Sequence, residues 1–407
     1  MGNISYFCIV KRFRSILRHI VLVFFLLLTH QIQAQTDSAA LARMDAVDIS
    51  LLSCQPRQYI YSLYGHTAIR ITDHSTGTDY AVNYGLFSFE KPFFVLRFVF
   101  GLTDYEMGIC SYEHFKIEYE RAQCGVVQQV LDLSREDKLT ILQAIDRNAQ
   151  PENVVYRYNF FYDNCTTRAR DIIINNVEEA VTFPSSTRAI TYRQMVHQYT
   201  AQHPWARFGN DLLLGVGADR PTDARQQQFL PFNLKSDFDH TTLKGKDGAV
   251  RPLVKDKFWA ISASAAKPEP MLITPIWCAI ALAIIILTTC LYDAKRKRVS
   301  WALDGILWLL TGLAGLILFA MVFSQHPTVR VNFPILMLNP LALGFLYPTL
   351  KALRHKKHSR WLTIWPICLV LFFIGAFWQT YADGMCILAS SLLVRAIFIN
   401  YIVRKEQ

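Results

Sequence analysis

The last third of the chain constrains the fold most, because it is almost entirely apolar. Each of five runs approaches the roughly 20 residues that a helix needs to cross a bilayer. The runs cover residues 274–291, 306–323, 333–350, 362–378 and 386–402. Some contain Pro or Gly, which neighbouring helices can accommodate. We therefore predict an all-α bundle of five transmembrane helices within residues 271–407.

Lysine and arginine orient this bundle. They concentrate at alternate ends of the runs, in residues 295–298, 351–360 and 404–405. Such an excess marks the cytoplasmic ends of transmembrane helices. The loops at residues 324–331 and 381–385 are then expected to face outward.

The amino end predicts export. Basic residues precede an apolar run at residues 20–28, and Ala34 is a small residue at which cleavage can occur. The basic residues are Lys11, Arg12, Arg14 and Arg18. This pattern identifies residues 1–34 as a signal peptide or, if uncleaved, an N-terminal anchor. Residues 35–243 then form a periplasmic domain at the inner membrane, and residues 244–270 form a linker.

The net charge of +10 follows from this topology. Residues 1–30 and 271–407 together carry 17 Lys and Arg against 4 Asp and Glu, which leaves 25 against 28 for residues 31–270. The exported part is therefore slightly acidic. Because the basic charge belongs to the membrane ends, we expect no nucleic-acid partner.

The exported part is predicted to be an α+β domain. The turn-forming residues 73–78 join two alternating segments as a hairpin, and residues 134–137 are a helix start. The predicted strands are 46–54, 66–72, 79–85 and 124–133, and the predicted helices are 112–121, 138–148 and 166–175. Cys110 and Cys124 can close a short disulfide if their Cα atoms lie close together, which would leave Cys165 free.

A histidine followed by a cysteine suggests the chemistry. His66 begins a predicted strand, and about a hundred residues later Cys165 begins a predicted helix. A helix amino terminus and a nearby imidazole both favour the thiolate and lower the pKa of a thiol. Cys165 is therefore the candidate nucleophile for acyl transfer, and His66 the candidate base and then acid.

Two further functions of the site can be assigned to residues nearby. Backbone amides at the start of the Cys165 helix are unpaired donors that could hold the oxyanion of acyl transfer. A polar group is expected to orient the imidazole, and we choose Asn83 because the hairpin brings it alongside His66. Asp79 and Asp163 are the alternatives.

These residues resemble a known family. The order of histidine and Asn164-Cys165 is similar to that of the circularly permuted papain-like enzymes. More closely, four segments resemble the periplasmic domain of the Bacteroidota-type, Lnb-like lipoprotein N-acyltransferases. They are Gly65-His66-Thr67-Ala68-Ile69-Arg70, Asn83-Tyr84-Gly85, residues 160–168 and Phe229-Leu230-Pro231. His326-Pro327, Asn332 and Asn339-Pro340-Leu341 are similar to the membrane part of those proteins.

The resemblance implies a two-step acyl transfer without metal or cofactor. Cys165 would take an acyl chain from a membrane phospholipid as a thioester. The α-amino group of a diacylglyceryl-cysteine lipoprotein would then accept the chain. Both substrates are anchored in the outer leaflet, so a nucleophile tethered to the membrane by several spans suits this reaction.

Other residues are candidates for substrate binding. Asn164 and Arg168 flank the nucleophile, and Arg168 meets either a lipid phosphate or a local carboxylate. Trp205 and the apolar residues up to 215 either cradle an acyl chain at the interface or pack on the core. His326 lies either near the catalytic pair or in a solvated loop. Arg395, inside the last span, either pairs with Asp304 or approaches lipid phosphate.

Two other functions use the same residues. The first is an envelope cysteine hydrolase, acting on peptidoglycan or phospholipid. The second is a non-catalytic membrane scaffold in which His66 and Cys165 merely pack. A shared pocket that brings the two side chains within hydrogen-bond reach would favour an enzyme over the scaffold.

Overall fold

The structure is a computed structural model, and it describes residues 38–90, 92–185, 189–263 and 271–405. The signal peptide or anchor predicted at residues 1–34 lies outside these ranges. Within them the chain forms a mixed α/β domain followed by a helical domain, as the sequence predicts.

The centre of the first domain is a seven-stranded antiparallel sheet in the order β10-β5-β1-β2-β3-β4-β6. The predicted hairpin is confirmed: the Asp73 carboxylate accepts hydrogen bonds from the Ser75 and Thr76 amides and so shapes the turn between β2 and β3. The strands are β1 Val47–Cys54, β2 His66–Asp73, β3 Thr78–Leu86, β4 Asp104–Ser111, β5 Val126–Leu131, β6 Val155–Arg157 and β10 Val254–Ile261.

Helices pack on both faces of this sheet, enclosing the main core on one face and a smaller core on the other. Local capping explains several of them: Ser134, for example, forms a capping box with Asp137. The helices of this domain are α1 Phe94–Val99, α2 Tyr112–Arg121, α3 Arg135–Ala149, α4 Cys165–Ile174, α5 Tyr192–Thr200, α6 Pro204–Leu213, α7 Ala224–Gln227 and α8 Pro231–Phe238. Short 3₁₀ turns lie at Met44–Ala46, Ile60–Ser62 and Val216–Asp219.

The predicted linker is largely part of the domain. Strands β7 Ala180–Thr182, β8 Thr242–Lys244 and β9 Val250–Pro252 form a second, three-stranded sheet. Strand β10 then pairs with β5 at the edge of the main sheet. The interpretation of residues 244–261 as linker was therefore wrong, because a strand formed by distant pairing leaves no local signal. Residues 264–270 lie outside the described ranges.

Within the described residues, five apolar helices form the second domain, and four segments are long and apolar enough to cross a membrane. The third of these segments, Phe333–Arg354, includes a 3₁₀ turn before its α-helix. The helices are α9 Pro275–Arg296, α10 Trp301–Val322, α11 Leu341–Arg354, α12 Arg360–Gly375 and α13 Met385–Lys405. The fifth apolar segment, α12, is shorter, with 16 residues. The third predicted span is interrupted, because a 3₁₀ turn at Phe333–Leu336 precedes α11 and Pro340 stands at the break.

The two domains are joined by hydrogen bonds at the outward loops. The Gly215 amide donates to the Thr328 carbonyl, and the Asn332 and Gln379 side chains donate to the Leu212 and Leu214 carbonyls. Apolar residues of α6 pack against the core of the helical domain. The segment predicted to lie at the interface therefore packs on the bundle, and it holds the first domain against its outward end.

Arg395 is buried and paired. Its guanidinium donates two hydrogen bonds to Asp304, at 2.8 and 2.7 Å, and one to Asp293 at 2.8 Å. Asp293 also accepts from the Ser300 amide and hydroxyl. The pairing predicted with Asp304 is confirmed, and Arg395 serves as an internal link between helices rather than as a contact for lipid phosphate.

The described cysteines are free thiols. Cys110 lies within 3.6 Å of the Asn83 amide, and Cys124 donates to the carbonyls of Gln55 and Pro56. The disulfide considered between Cys110 and Cys124 is therefore not formed. Cys165 is not tied up in a bridge either, which leaves its sulfur available for chemistry.

Candidate active site

His66 begins β2 where the strand meets the end of β1. Gly65 precedes it with a φ of +78°, and a Cβ on Gly65 would lie 2.5 Å from the Cys54 carbonyl oxygen. Only glycine accommodates both the left-handed backbone and this close approach. Asn210 of α6 donates to the Tyr64 hydroxyl at 2.6 Å, so the chain just before His66 is attached to the helix that docks on the membrane domain.

Cys165 is the first residue of α4, and Asn164 is its N-cap. The side-chain oxygen Oδ1 of Asn164 accepts from the Thr166 and Thr167 backbone amides at 2.9 Å, and the Thr167 hydroxyl accepts from the Asn164 backbone amide. The Asn164 side-chain nitrogen donates to the Phe160 and Phe229 carbonyls. Every polar atom of this side chain therefore positions the helix that carries Cys165.

His66 and Cys165 lie next to each other: the hydroxyl oxygens of the residues that follow them, Thr67 and Thr166, are 3.0 Å apart. The Cys165 thiol and the His66 imidazole are both half-buried, and each shifts the pKa of the other. Burial by itself would raise the pKa of the Cys165 thiol, but the His66 charge and hydrogen bond, the Thr67 amide and the Thr166 hydroxyl together lower it. Burial would lower the pKa of His66, and Cys165 and Asn83 together raise it. Both shifts favour a thiolate paired with an imidazolium.

Asn83 holds the other side of the imidazole. His66 Nε2 donates to Asn83 Oδ1 at 3.0 Å, and Asn83 Nδ2 donates to the Ala81 carbonyl. That second bond fixes which end of the amide faces the ring. Because Nε2 is taken by Asn83, Nδ1 is the ring nitrogen left to exchange a proton with the thiol.

The two alternatives to Asn83 have other partners. Asp79 binds Arg70 through two hydrogen bonds of 2.9 and 2.6 Å. Asp163 binds Arg168 through two hydrogen bonds of 2.7 and 2.8 Å. Arg168 also lies over the Tyr156 ring, 3.5 Å from its centroid. Its charge is therefore already paired with a carboxylate beside the site.

Two donors remain for an oxyanion. Asn164 occupies the Thr166 and Thr167 amides, so the expectation that several free amides surround the helix start was wrong. The Cys165 amide, in contrast, donates to no residue within the described ranges. The Tyr156 hydroxyl is buried, also lacks a hydrogen-bond partner there, and interacts electrostatically with Cys165.

Gly85 creates space between these groups. Its φ is +87°, and a Cβ placed on it would lie 3.6 Å from Cys165 Cβ and 3.8 Å from the Tyr156 hydroxyl oxygen. A side chain would therefore enter the region between nucleophile and hydroxyl. Tyr156 was absent from the sequence prediction because its role depends on a neighbour across the sheet. Its place in residues 153–161, which are rich in aromatic side chains and precede Cys165 in the sequence, was the available signal.

Trp205 and His326 lie away from the catalytic pair. Trp205 is about half exposed on α6, and its indole donates to the Ile273 carbonyl just before α9. The His326 ring packs beside Gly101 and Phe98, and burial lowers its pKa. His326 is therefore a contact between the two domains. In the part of the chain that the structure describes, no group of His, Cys, Asp or Glu is arranged to hold a metal.

Comparison with known proteins gives a consistent result for both domains. Residues 34–198 match the family model described as the Lnb N-terminal periplasmic domain. Residues 267–407 match the model described as the Lnb transmembrane domain. No curated protein and no solved structure matches the chain.

Proposed function

The chain belongs to the Lnb family, the lipoprotein N-acyltransferases of Bacteroidota, and we propose that it transfers the acyl chain through a thioester on Cys165. Its first domain is periplasmic, and its second spans the membrane. The observation that carries the proposal is that Cys165, at the start of α4, lies beside a histidine that Asn83 holds by a hydrogen bond and that lowers the pKa of the thiol.

In the first half-reaction the Cys165 thiolate attacks an ester carbonyl of a phospholipid. The carbon–sulfur bond forms, and the negative charge moves to the carbonyl oxygen, where the Cys165 amide and the Tyr156 hydroxyl donate to it. When the carbon–oxygen bond breaks, imidazolium His66 gives its proton to the departing alkoxide. A lysophospholipid leaves, and the acyl chain remains as a thioester.

In the second half-reaction the neutral α-amine of a diacylglyceryl-cysteine attacks the thioester. His66, now neutral, accepts a proton from the nitrogen as the carbon–nitrogen bond forms. The carbon–sulfur bond then breaks and returns the thiolate beside the imidazolium. The products are a triacylated lipoprotein and the enzyme in its starting state.

The attachment between the domains supports membrane-anchored substrates. Hydrogen bonds from the outward loops and from α6 hold the first domain at the end of the spans. A phospholipid and a diacylated lipoprotein are confined to that same surface. Confinement raises the effective concentration of both relative to soluble esters and peptides.

Mass spectrometry of the purified full-length protein tests the proposal. With phospholipid alone, Cys165 should gain one acyl chain and release one lysophospholipid. A synthetic diacylglyceryl-cysteine peptide should then remove the chain and become triacylated. Cys165→Ala should give neither product while remaining folded, and Cys278→Ala, which removes an exposed thiol on α9, should behave as wild type.

Other outcomes would assign a different function. Release of free fatty acid without acylated peptide would indicate a phospholipase. Cleavage of muropeptides in the absence of lipid would indicate a peptidase. Retention of acyl transfer in Cys165→Ala would contradict the thioester mechanism.

A further inference from the structure

An exposed apolar surface adjoins the membrane domain on the first domain. We call it the aromatic face, and its residues are at least 47% exposed. They are Tyr59, Ile60, Tyr61, Phe89, Phe93, Val95, Leu96 and Phe98. Contiguous exposed apolar surface of this kind is uncommon on soluble domains and marks a contact with a membrane or another apolar partner.

The aromatic face is continuous with the outward end of a transmembrane helix. The Gln325 amide, just after α10, donates to the Phe100 carbonyl at 2.9 Å, and Arg157 donates to the Gln325 side chain. His326 packs against Phe98 and Gly101. Phe323, at the end of α10, is itself 65% exposed. The face therefore begins where the lipid-facing surface of α10 ends.

Two arginines at this edge pair with one carboxylate. Arg97 of α1 donates to Asp104 at 2.7 Å, and Arg157 donates to the same carboxylate at 2.9 Å. These pairs neutralise the carboxylate at the side of the face that meets the membrane domain. Val95 and Leu96 on the same helix are 73% and 54% exposed, which leaves their apolar side chains available to a partner.

A series of packed aromatic rings connects the aromatic face to the nucleophile. Phe89 and Phe94 pack on Phe87 with ring centroids 4.9 and 5.8 Å away, and Phe87 lies 5.0 Å from Tyr105. Tyr105 stacks on Tyr158 at 4.1 Å. Tyr158 and Cys165 Cβ would both lie 3.6 Å from a Cβ on Gly85. The series of rings thus runs from the exposed surface to the candidate active site.

We propose that the aromatic face inserts into the outer leaflet and that one phospholipid acyl chain passes from it along Phe87, Tyr105 and Tyr158 to Cys165. Aromatic side chains suit this position because one face of the ring system is apolar and the tyrosine hydroxyls remain near polar headgroups. An acyl chain is chosen as the occupant because the face continues the lipid-exposed surface of α10. This inference rests on the proposed function, since it delivers the donor ester to the proposed nucleophile.

Substitution of two highly exposed residues tests the path without disturbing a core. Phe93 and Val95 are 79% and 73% exposed, so Phe93→Ser with Val95→Ser should leave the fold intact. The matched control is Phe258→Ser with Val250→Ser, which makes the same two exchanges at the exposed edge of the domain formed by β9 and β10. Both double variants are compared with wild type as full-length protein.

Two acyl donors separate the path from the chemistry. In vesicles of long-chain phosphatidylethanolamine, thioester formation on Cys165 should fall about tenfold or more in the Phe93 and Val95 variant and by less than about twofold in the control. In vesicles of ether-linked phosphatidylcholine, which has no ester to donate, acylation by p-nitrophenyl butyrate should be equal in all three proteins.

The outcomes distinguish the two proposals. Three results would overturn the path. They are equal thioester formation from long-chain phospholipid in all three proteins, an equal decrease of thioester formation in the two double variants, and a decrease in the Phe93 and Val95 variant that is as large with p-nitrophenyl butyrate as with phospholipid. If wild type formed no thioester with phospholipid and none with p-nitrophenyl butyrate, the proposed function itself would be overturned.

Discussion

The candidate active site and the Arg395 cluster both bury ionisable groups, but they differ in whether the polar atoms around those groups have hydrogen-bond partners. Around Arg395, two aspartates and Ser300 pair the guanidinium and carboxylate atoms. Around Cys165, the Tyr156 hydroxyl and the Cys165 amide have no partner within the described ranges. A closed network stabilises a fold, whereas open donors beside a reactive sulfur are available to a substrate.

Removal of His66 should give the largest effect on catalysis. We expect His66→Ala to slow acylation of Cys165 by roughly 10²–10⁴-fold, the usual contribution of a general acid–base. The imidazolium lowers the pKa of the thiol, so its loss should move the rise of activity with pH to higher pH. Acylation measured by mass spectrometry from pH 5 to 10 checks this, and an unchanged profile would contradict a coupled pair.

Removal of Arg395 should affect stability and spare chemistry. Arg395→Met leaves Asp304 without its guanidinium partner and should reduce the free energy of unfolding by about 3–5 kcal/mol. The double variant Arg395→Met with Asp304→Leu should recover part of this loss because it removes the orphaned charge. Thermal unfolding in detergent measures both. If the Arg395→Met protein that remains folded lost acylation activity as well as stability, the contrast between the Arg395 cluster and the candidate active site would be wrong.

Removal of the Tyr156 hydroxyl should slow the reaction without destabilising the protein. We expect Tyr156→Phe to reduce kcat by roughly 10²-fold if the hydroxyl donates to the oxyanion. Tyr84→Phe is the matched control, since that hydroxyl is also buried without a partner, whereas its pKa is raised by burial with no contribution from Cys165. Equal kinetics of the two variants would assign Tyr156 a packing role only.

Removal of the Asn83 amide should have the smallest effect. Asn83→Ala should lower activity by roughly tenfold, less than removal of the acid–base itself. The Asn83 hydrogen bond raises the pKa of His66, so the imidazolium should lose its proton at lower pH in the variant. The alkaline limb of kcat/KM should therefore move to lower pH. Asn83→Asp, which retains an acceptor oxygen, should keep that limb at or above its original position.

Local patterns explain which elements could be predicted. Turn residues at 73–78, the Ser134 capping box and the Asn164 cap act within a few residues, so β2, β3, α3 and α4 were predictable. Helix α1 and strands β4 and β10 were missed. Strand β4 is held by pairing with β3 and β6, and β10 by pairing with β5, over separations that periodicity alone does not encode.

The candidate site likewise contains residues that a local pattern could place and residues that depend on distant contacts. Asn83 could be placed near His66 because the hairpin register pairs it with Ala68, two residues along the same face of β2 from His66. Asp79 pairs with Thr72 at the far end of the hairpin, so the register separates it from the imidazole. Tyr156 and the aromatic face could not be predicted, because each depends on contacts between segments distant in the chain.

By itself, the sequence determined the membrane bundle and its orientation and predicted the candidate histidine and cysteine, because hydropathy, charge and helix capping act over short stretches of chain. Tertiary structure alone decided which donors remain unpaired beside Cys165, how β10 closes the sheet, and where the aromatic face meets the spans. Those features arise from long-range packing, in which a group's hydrogen-bond partners and exposure depend on residues far away in the sequence.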